Sequence, residues 1–122
     1  MKKTYETGLQ GEKTAAEYLI HEKHMKFLEQ RYRTKSGEID LIMLDHDTIV
    51  FVEVKTRKKG EPGSGLSAVN KNKQNRIYKA AMIYLMKHSV LNHPIRFDLI
   101  EINMRDIIYI PNAFQPGGLF FH

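Results

Sequence analysis

Two segments govern what this chain can fold into: Glu38–Leu44 (EIDLIML) and Thr48–Lys55 (TIVFVEVK), separated by Asp45-His46-Asp47. Both are short, rich in aliphatic and β-branched residues, and bounded by turn-forming residues, which predicts two strands of a hairpin. They are apolar enough to be central strands, yet each carries an acid. In the second, the period of two sends Val50, Val52 and Val54 to one face and Ile49, Phe51, Glu53 and Lys55 to the other. A two-residue turn at His46-Asp47 opposes residues whose numbers sum to 93, pairing Asp40 with Glu53. A four-residue loop, 45–48, keeps that register, and a three-residue loop shifts it by one.

Directly opposed residues have Cβ atoms ~4.5–5.5 Å apart, so two carboxylates placed there repel each other. A divalent cation between them removes the conflict, because Mg²⁺ takes carboxylate oxygens at ~2.0–2.1 Å. Lys55 shares the face of Glu53, ~6–7 Å further along the strand.

The flanking segments supply a sheet and its cover. Thr4–Lys23 reads as a helix with Tyr5, Leu9, Ala16 and Leu19 along one side, its first turns weakened by Gly8 and Gly11. A β-prone stretch runs from Met25 to Tyr32, closed by the turn at Ser36-Gly37. Thr56–Leu66 is basic and then rich in Gly, Pro and Ser, as in a mobile surface loop. Ser67 caps a second helix predicted to reach His88, with strands at Ile95–Ile102 and Ile107–Ile110 after it. The expected class is α/β: a central mixed β-sheet of about five strands flanked by helices, in the order α-β-β-β-α-β-β. Residues 1–110 form one domain in this reading, and residues 111–122 an irregular tail.

Composition narrows the chemistry. A chain of 122 residues holds one domain and one core. With no cysteine, it has no disulfide, zinc-thiolate site, iron–sulfur cluster or thiol nucleophile. No apolar run approaches the ~18 residues that span a bilayer, and the start lacks the apolar stretch of a signal peptide. A cytoplasmic protein with no membrane role is expected. Nineteen Lys and Arg against fourteen Asp and Glu give a net charge of +5, which favours a polyanionic partner.

Glu12 adds a third acid, inside the stripe that the first helix should bury. A carboxylate there is costly unless it is paired or binds a metal. Three acids and a lysine on one sheet face match the needs of metal-assisted phosphodiester hydrolysis: a cation to polarise the phosphoryl group and an ammonium to orient water or stabilise developing charge. The plainer alternatives are that Glu12 serves the helix dipole and that Asp40 and Glu53 face solvent, Glu53 pairing with Lys55 or Lys35.

Gly37-Glu38-Ile39-Asp40-Leu41-Ile42, followed by Val50-Phe51-Val52-Glu53-Val54-Lys55-Thr56-Arg57, resembles the YraN-type family of small bacterial proteins. That family belongs to the restriction-endonuclease-like superfamily, named for its PD-(D/E)XK motif. The resemblance extends to Gly8-x-x-Gly11-Glu12, Lys73-x-x-Arg76-Ile77 and Arg96-Phe97-Asp98, and covers roughly residues 5–105. It implies that Asp40 and Glu53 ligate Mg²⁺ or Mn²⁺ and that Lys55 is the catalytic lysine. It also implies that Glu12 is the helix acid that archaeal Holliday-junction resolvases place beside the metal. The sequence departs from the superfamily motif at Ile39, where a proline often precedes the aspartate.

Arg57, Lys58 and Lys59 leave the strand of Glu53, and Lys73, Arg76 and Lys79 share the second helix; of these, Arg57, Lys58, Lys59, Lys73 and Arg76 are the candidate phosphate contacts. Gly60–Ser67 lies between a strand and a helix like a nucleotide-binding loop, but Leu66 stands where the phosphate-reaching lysine belongs and Pro62 removes an amide donor. His21 and His24 have helical metal-ligand spacing without an evident carboxylate to orient them. The leading expectation is a metal-dependent nuclease on DNA, structured or branched, with RNA also open. The alternative is a nucleic-acid-binding protein that keeps the fold without efficient turnover. Phe114, Phe120 and Phe121, read as exposed aromatics, add a homodimer as an expectation.

Overall fold

The computed structural model describes residues 2–57, 69–103 and 106–116, with the backbone alone at 2–7. Its elements follow the expected order: α1 (Lys2–Lys23), β1 (Lys26–Arg33), β2 (Glu38–Asp45), β3 (Thr48–Thr56), α2 (Lys71–Lys87), β4 (Ile95–Ile102) and β5 (Ile107–Phe114). The five strands form one mixed sheet in the order β1-β2-β3-β4-β5, in which only β3 and β4 run parallel. A parallel pair needs a long crossover, and α2 supplies it. None of the described helices is long and apolar enough to cross a membrane.

The sheet is covered on both faces, which explains why its central strands are apolar throughout. On one side Ile49 and Phe51 join Ile77, Ala80, Ala81, Tyr84 and Leu85 of α2, with Phe97 and Leu99 of β4. On the other Val50 and Val52 join Ala15, Ala16 and Leu19 of α1, with Leu41, Met43 and Ile100. The expected facing of β3 is therefore observed, with Glu53 and Lys55 continuing its α2 side.

The β2–β3 turn fixes the register. Asp45 pairs with Thr48 and Leu41 with Val52, so each pair sums to 93 and the two-residue turn is His46-Asp47, His46 taking φ 57°. The next position outward sets Asp40 beside Glu53.

Asp40 itself is not among the paired positions of either neighbour, although the register continues past it on the β1 side. Between β1 and β2 the partners pass from Gln30↔Leu41 to Tyr32↔Ile39, and Arg31 between them has φ 53°. A left-handed conformation costs a residue with a Cβ ~1–2 kcal/mol. Across Asp40 the alternation of β2 also breaks, because Ile39 and Ile42 both pack on the α2 side while Leu41 packs on the α1 side. The positive φ of Arg31 and the broken alternation of β2 thus adjoin the acid, while the register shift of the β1–β2 pair lies further along, between Phe27 and Glu29.

Two boundaries differ from the sequence expectation. The second helix begins at Lys71, capped by Asn70, whose Oδ1 accepts the Lys73 N–H at 2.9 Å; Ser67 lies outside the described residues. Strand β5 continues through Pro111 to Phe114, where an irregular tail was expected. Pro111 is tolerated because β5 is an edge strand. Beyond it the Asn112 N–H donates to Asp98 Oδ1 at 2.8 Å. Asp98, with no exposed surface, also accepts from Tyr109 Oη at 2.5 Å and Arg96 Nε at 3.1 Å. Arg96 reaches across β3 to Asp45 at 2.9 Å, so this polar cluster ties β2, β4 and β5 together. Phe114 is buried against Phe97, their ring centroids 5.6 Å apart, which withdraws it as an exposed dimerisation residue. Phe120 and Phe121 lie outside the described residues.

Candidate metal centre

The crossover topology brings the site together. Because α2 starts beyond the carboxyl end of β3, its first turn and the last residues of β3 share one end of the sheet. The start of antiparallel β2 arrives at that same end. Asp40, Glu53, Lys55 and Lys73 therefore converge, although the chain separates Asp40 from Lys73 by a strand, a loop and a helix start.

Glu53 is 4% exposed. Its Oε2 is 2.5 Å from Lys73 Nζ and 3.5 Å from Lys55 Nζ. Asp40 Oδ2 accepts the Val54 N–H at 2.8 Å, and the two carboxyl groups line the same pocket, close enough for the charge of Glu53 to act on Asp40. Burial and the charge of Glu53 push Asp40 up to about 8, against the opposing pull of the Val54 N–H. The repulsion expected between opposed acids is thus relieved in two ways: Asp40 keeps its proton to near-neutral pH, and Glu53 takes lysines as partners. Burial and the neighbouring Lys73 lower Lys55 from the ordinary lysine value, opposed by Glu53. Burial is the largest single influence on Lys73 and alone would lower it, but the hydrogen bond and charge of Glu53, with Lys55 and Asp40, together outweigh it and raise Lys73.

This donor set fits a hard divalent cation. It offers two adjacent carboxyl groups on neighbouring strands, and the proton held by one is what a cation would replace. Glu12 has partners of its own. It is buried, as the sequence suggested, but its Oε1 accepts from Arg31 Nε at 2.8 Å and Gln30 Nε2 at 3.0 Å. Its charge still contributes to the rise of Asp40. Among the described residues no three acidic, histidine or cysteine side chains gather as a metal cluster.

A pocket of about 670 Å³ opens beside the pair, and Asp40, Glu53, Lys73 and Arg76 all line it. Its other wall is the β1–β2 turn, with Arg33, Lys35 and Ser36. Thr34 Oγ1 accepts the N–H groups of Ser36 and Gly37 at 3.1 and 3.0 Å, and Gly37 presses against α2. A Cβ on Gly37 would lie 2.5 Å from the Arg76 carbonyl oxygen, so only glycine allows this approach. At Gly11 a Cβ would meet Thr56 Oγ1 at a distance no real contact shows, which lets α1 close on the end of β3.

The expected phosphate contacts divide. Lys73 and Arg76 lie at the pocket. Arg57 is half-buried, its Nε without a hydrogen-bond partner among the described residues. Lys58, Lys59 and the Gly-rich loop fall outside the described residues, and His21 and His24 are exposed. Sequence reasoning missed the turn wall and the pairing of Arg31 with Glu12. Thr34-x-Ser36-Gly37 was a readable turn signal, but nothing in it showed that the turn meets α2.

The family model for "Uncharacterised protein family UPF0102" matches residues 11–102, which span all four of the converging residues. A UPF0102 protein of Geobacter metallireducens is 45% identical over 112 residues, covering 88% of this chain and 91% of the relative. One of Stutzerimonas stutzeri is 37% identical over 120 residues, covering 94% and 99%. One of Saccharophagus degradans is 43% identical over 115 residues, covering 93% and 97%.

Proposed function

The chain belongs to family UPF0102, and we propose that it is a Mg²⁺- or Mn²⁺-dependent nuclease that hydrolyses phosphodiester bonds of structured or branched DNA. The observation that carries this reading is the pair of carboxyl groups, Asp40 and Glu53, lining one pocket, with Lys55 and Lys73 on Glu53. A cation held by Asp40 and Glu53 would polarise the phosphoryl group and acidify a water.

The remaining work falls to the chain's own side chains. Lys55, on the strand of Glu53, carries an ammonium that stabilises charge developing on the phosphate or orients the attacking water. Lys73 and Arg76 of α2 hold the phosphodiester, and Arg33 and Lys35 across the pocket neutralise neighbouring phosphates. The net charge of +5 draws the polyanion to this surface.

Labelled linear, flapped and four-way-junction DNA, with an RNA counterpart of each, should be cleaved only with Mg²⁺ or Mn²⁺, and Asp40→Asn should remove the activity. Binding in chelator should weaken with salt, log affinity falling against log salt with a slope of about −0.9 per phosphate neutralised. Salt-dependent binding without metal-dependent cleavage would establish the alternative, a binding protein with a nuclease-like fold. Affinity unchanged by salt would remove the polyanion altogether.

A further inference from the structure

We propose that Lys73 is a resident counter-ion which a divalent metal must displace from Glu53, and that the displaced ammonium then takes the phosphodiester as its new partner. The inference rests on the metal-site reading above and assigns Lys73 a role toward the metal as well as toward the substrate.

The geometry sets the two lysines apart. Lys73 Nζ lies 2.5 Å from Glu53 Oε2, closer than the 3.5 Å of Lys55. A Mg²⁺ or Mn²⁺ ligand oxygen sits ~2.0–2.1 Å from the ion. A divalent ion that takes Glu53 Oε2 would face the Lys73 ammonium across a few ångströms of poorly screened space, and the two cations would repel. That repulsion favours withdrawal of the lysine from this oxygen.

Lys73 is the one built to move. Its backbone is fixed, because its N–H is held by the Asn70 cap at 2.9 Å, and its four-carbon stem supplies the freedom. The side chain is 37% exposed against 5% for Glu53, so it has open pocket to withdraw into. Lys55 has no such exit: it stands on a strand, only 23% exposed. Once off Glu53, Lys73 is a cation in a pocket it shares with Asn72 and Arg76, where an incoming phosphate group is the partner that restores its charge balance. Metal and phosphodiester therefore assist each other: the metal frees Lys73 for the phosphate, and by linkage the phosphate favours the metal-bound arrangement.

The test measures Mn²⁺ affinity by titration calorimetry with no nucleic acid present, so it does not depend on turnover. Lys73→Met removes the competing cation and should bind Mn²⁺ about tenfold to hundredfold more tightly than the parent, the range of one charge-assisted hydrogen bond. Lys73→Arg keeps a cation there and should stay within a few-fold of the parent. Lys71→Met makes the same change in net charge at an exposed position in the same helical turn and should change little. Should Lys73→Met fail to fold by circular dichroism, Lys73→Gln gives the same reading. Parent-like or weaker affinity in a folded Lys73→Met or Lys73→Gln overturns the proposal, as does equal tightening in Lys71→Met. If neither the parent nor any variant binds Mn²⁺, the metal-site reading itself falls, which is a separate result from a parent that binds and a Lys73 variant that does not differ.

Discussion

Lys55→Met is expected to keep Mn²⁺ binding and lose DNA cleavage by about 10²–10³-fold or more, the range for removing one preorganised charge from a transition state. Methionine keeps the aliphatic stem, so the half-buried path of Lys55 along β3 stays filled and the fold should be unaffected. Only the ammonium disappears. Because Lys55 stands 3.5 Å from Glu53 Oε2 without being its nearest cation, its loss leaves Glu53 paired with Lys73 and leaves both carboxyl groups able to hold a metal. Mn²⁺ affinity should therefore equal or exceed that of the parent. Single-turnover cleavage at saturating Mn²⁺ separates the chemical step from binding and release. Near-parent cleavage by the purified variant would mean that Lys55 is structural, or that the activity belongs to another protein.

A second large effect concerns pH. Asp40 is raised from 3.8 to about 8, by burial first and by the charge of Glu53 next. A metal needs the carboxylate, so binding below that value must expel a proton. Mn²⁺ affinity should rise about tenfold per pH unit from pH 6 toward 8 and level off above it, about a hundredfold in all. The sign for stability runs the other way in metal-free protein. Between about 4 and 8 the folded state holds a proton that the unfolded chain releases, so Asp40 contributes stability that is fully present at low pH and lost as pH rises through about 8. Saturating Mn²⁺ should remove this loss. Calorimetry in buffers of different ionisation heat reads the released proton directly, close to one per metal at pH 6.5. Flat affinity across the range, with no proton released, would show that Asp40 is not a ligand.

How much of this the sequence disclosed depends on how local each feature is. The register of β2 and β3 follows from one two-residue turn and the period of a strand, so Asp40 beside Glu53 and the facing of Lys55 could be read directly. The position of Lys73 could not be derived in the same way. It depends on where α2 docks after a crossover, and helical periodicity says which residues share a face, not what that face meets. Glu12 shows the same limit from the other side. Its burial was legible in the apolar stripe of α1, but its partner was not, because Arg31 reaches it from a strand position with φ 53° that no propensity favours. The residues predicted for β5 stopped at Ile110 because proline ends a strand inside a sheet, whereas an edge strand with Asp98 holding Asn112 runs on.

The central claim, that Asp40 and Glu53 together hold a catalytic cation, is tested most directly by thermal melts of the parent and Glu53→Gln, each in chelator and in excess Mn²⁺. Glutamine keeps the shape of Glu53 and removes its charge. Losing a partner of Lys73 and Lys55 changes the baseline stability of the variant, so the shift caused by Mn²⁺ is the quantity to compare. At about 100 times its dissociation constant, a ligand of the folded state adds ~2.7 kcal/mol. For a domain of this size that corresponds to roughly 10 °C. The parent should rise by about that amount, and Glu53→Gln should move by less than about 2 °C. An equal rise in both proteins would place the metal elsewhere and contradict the account.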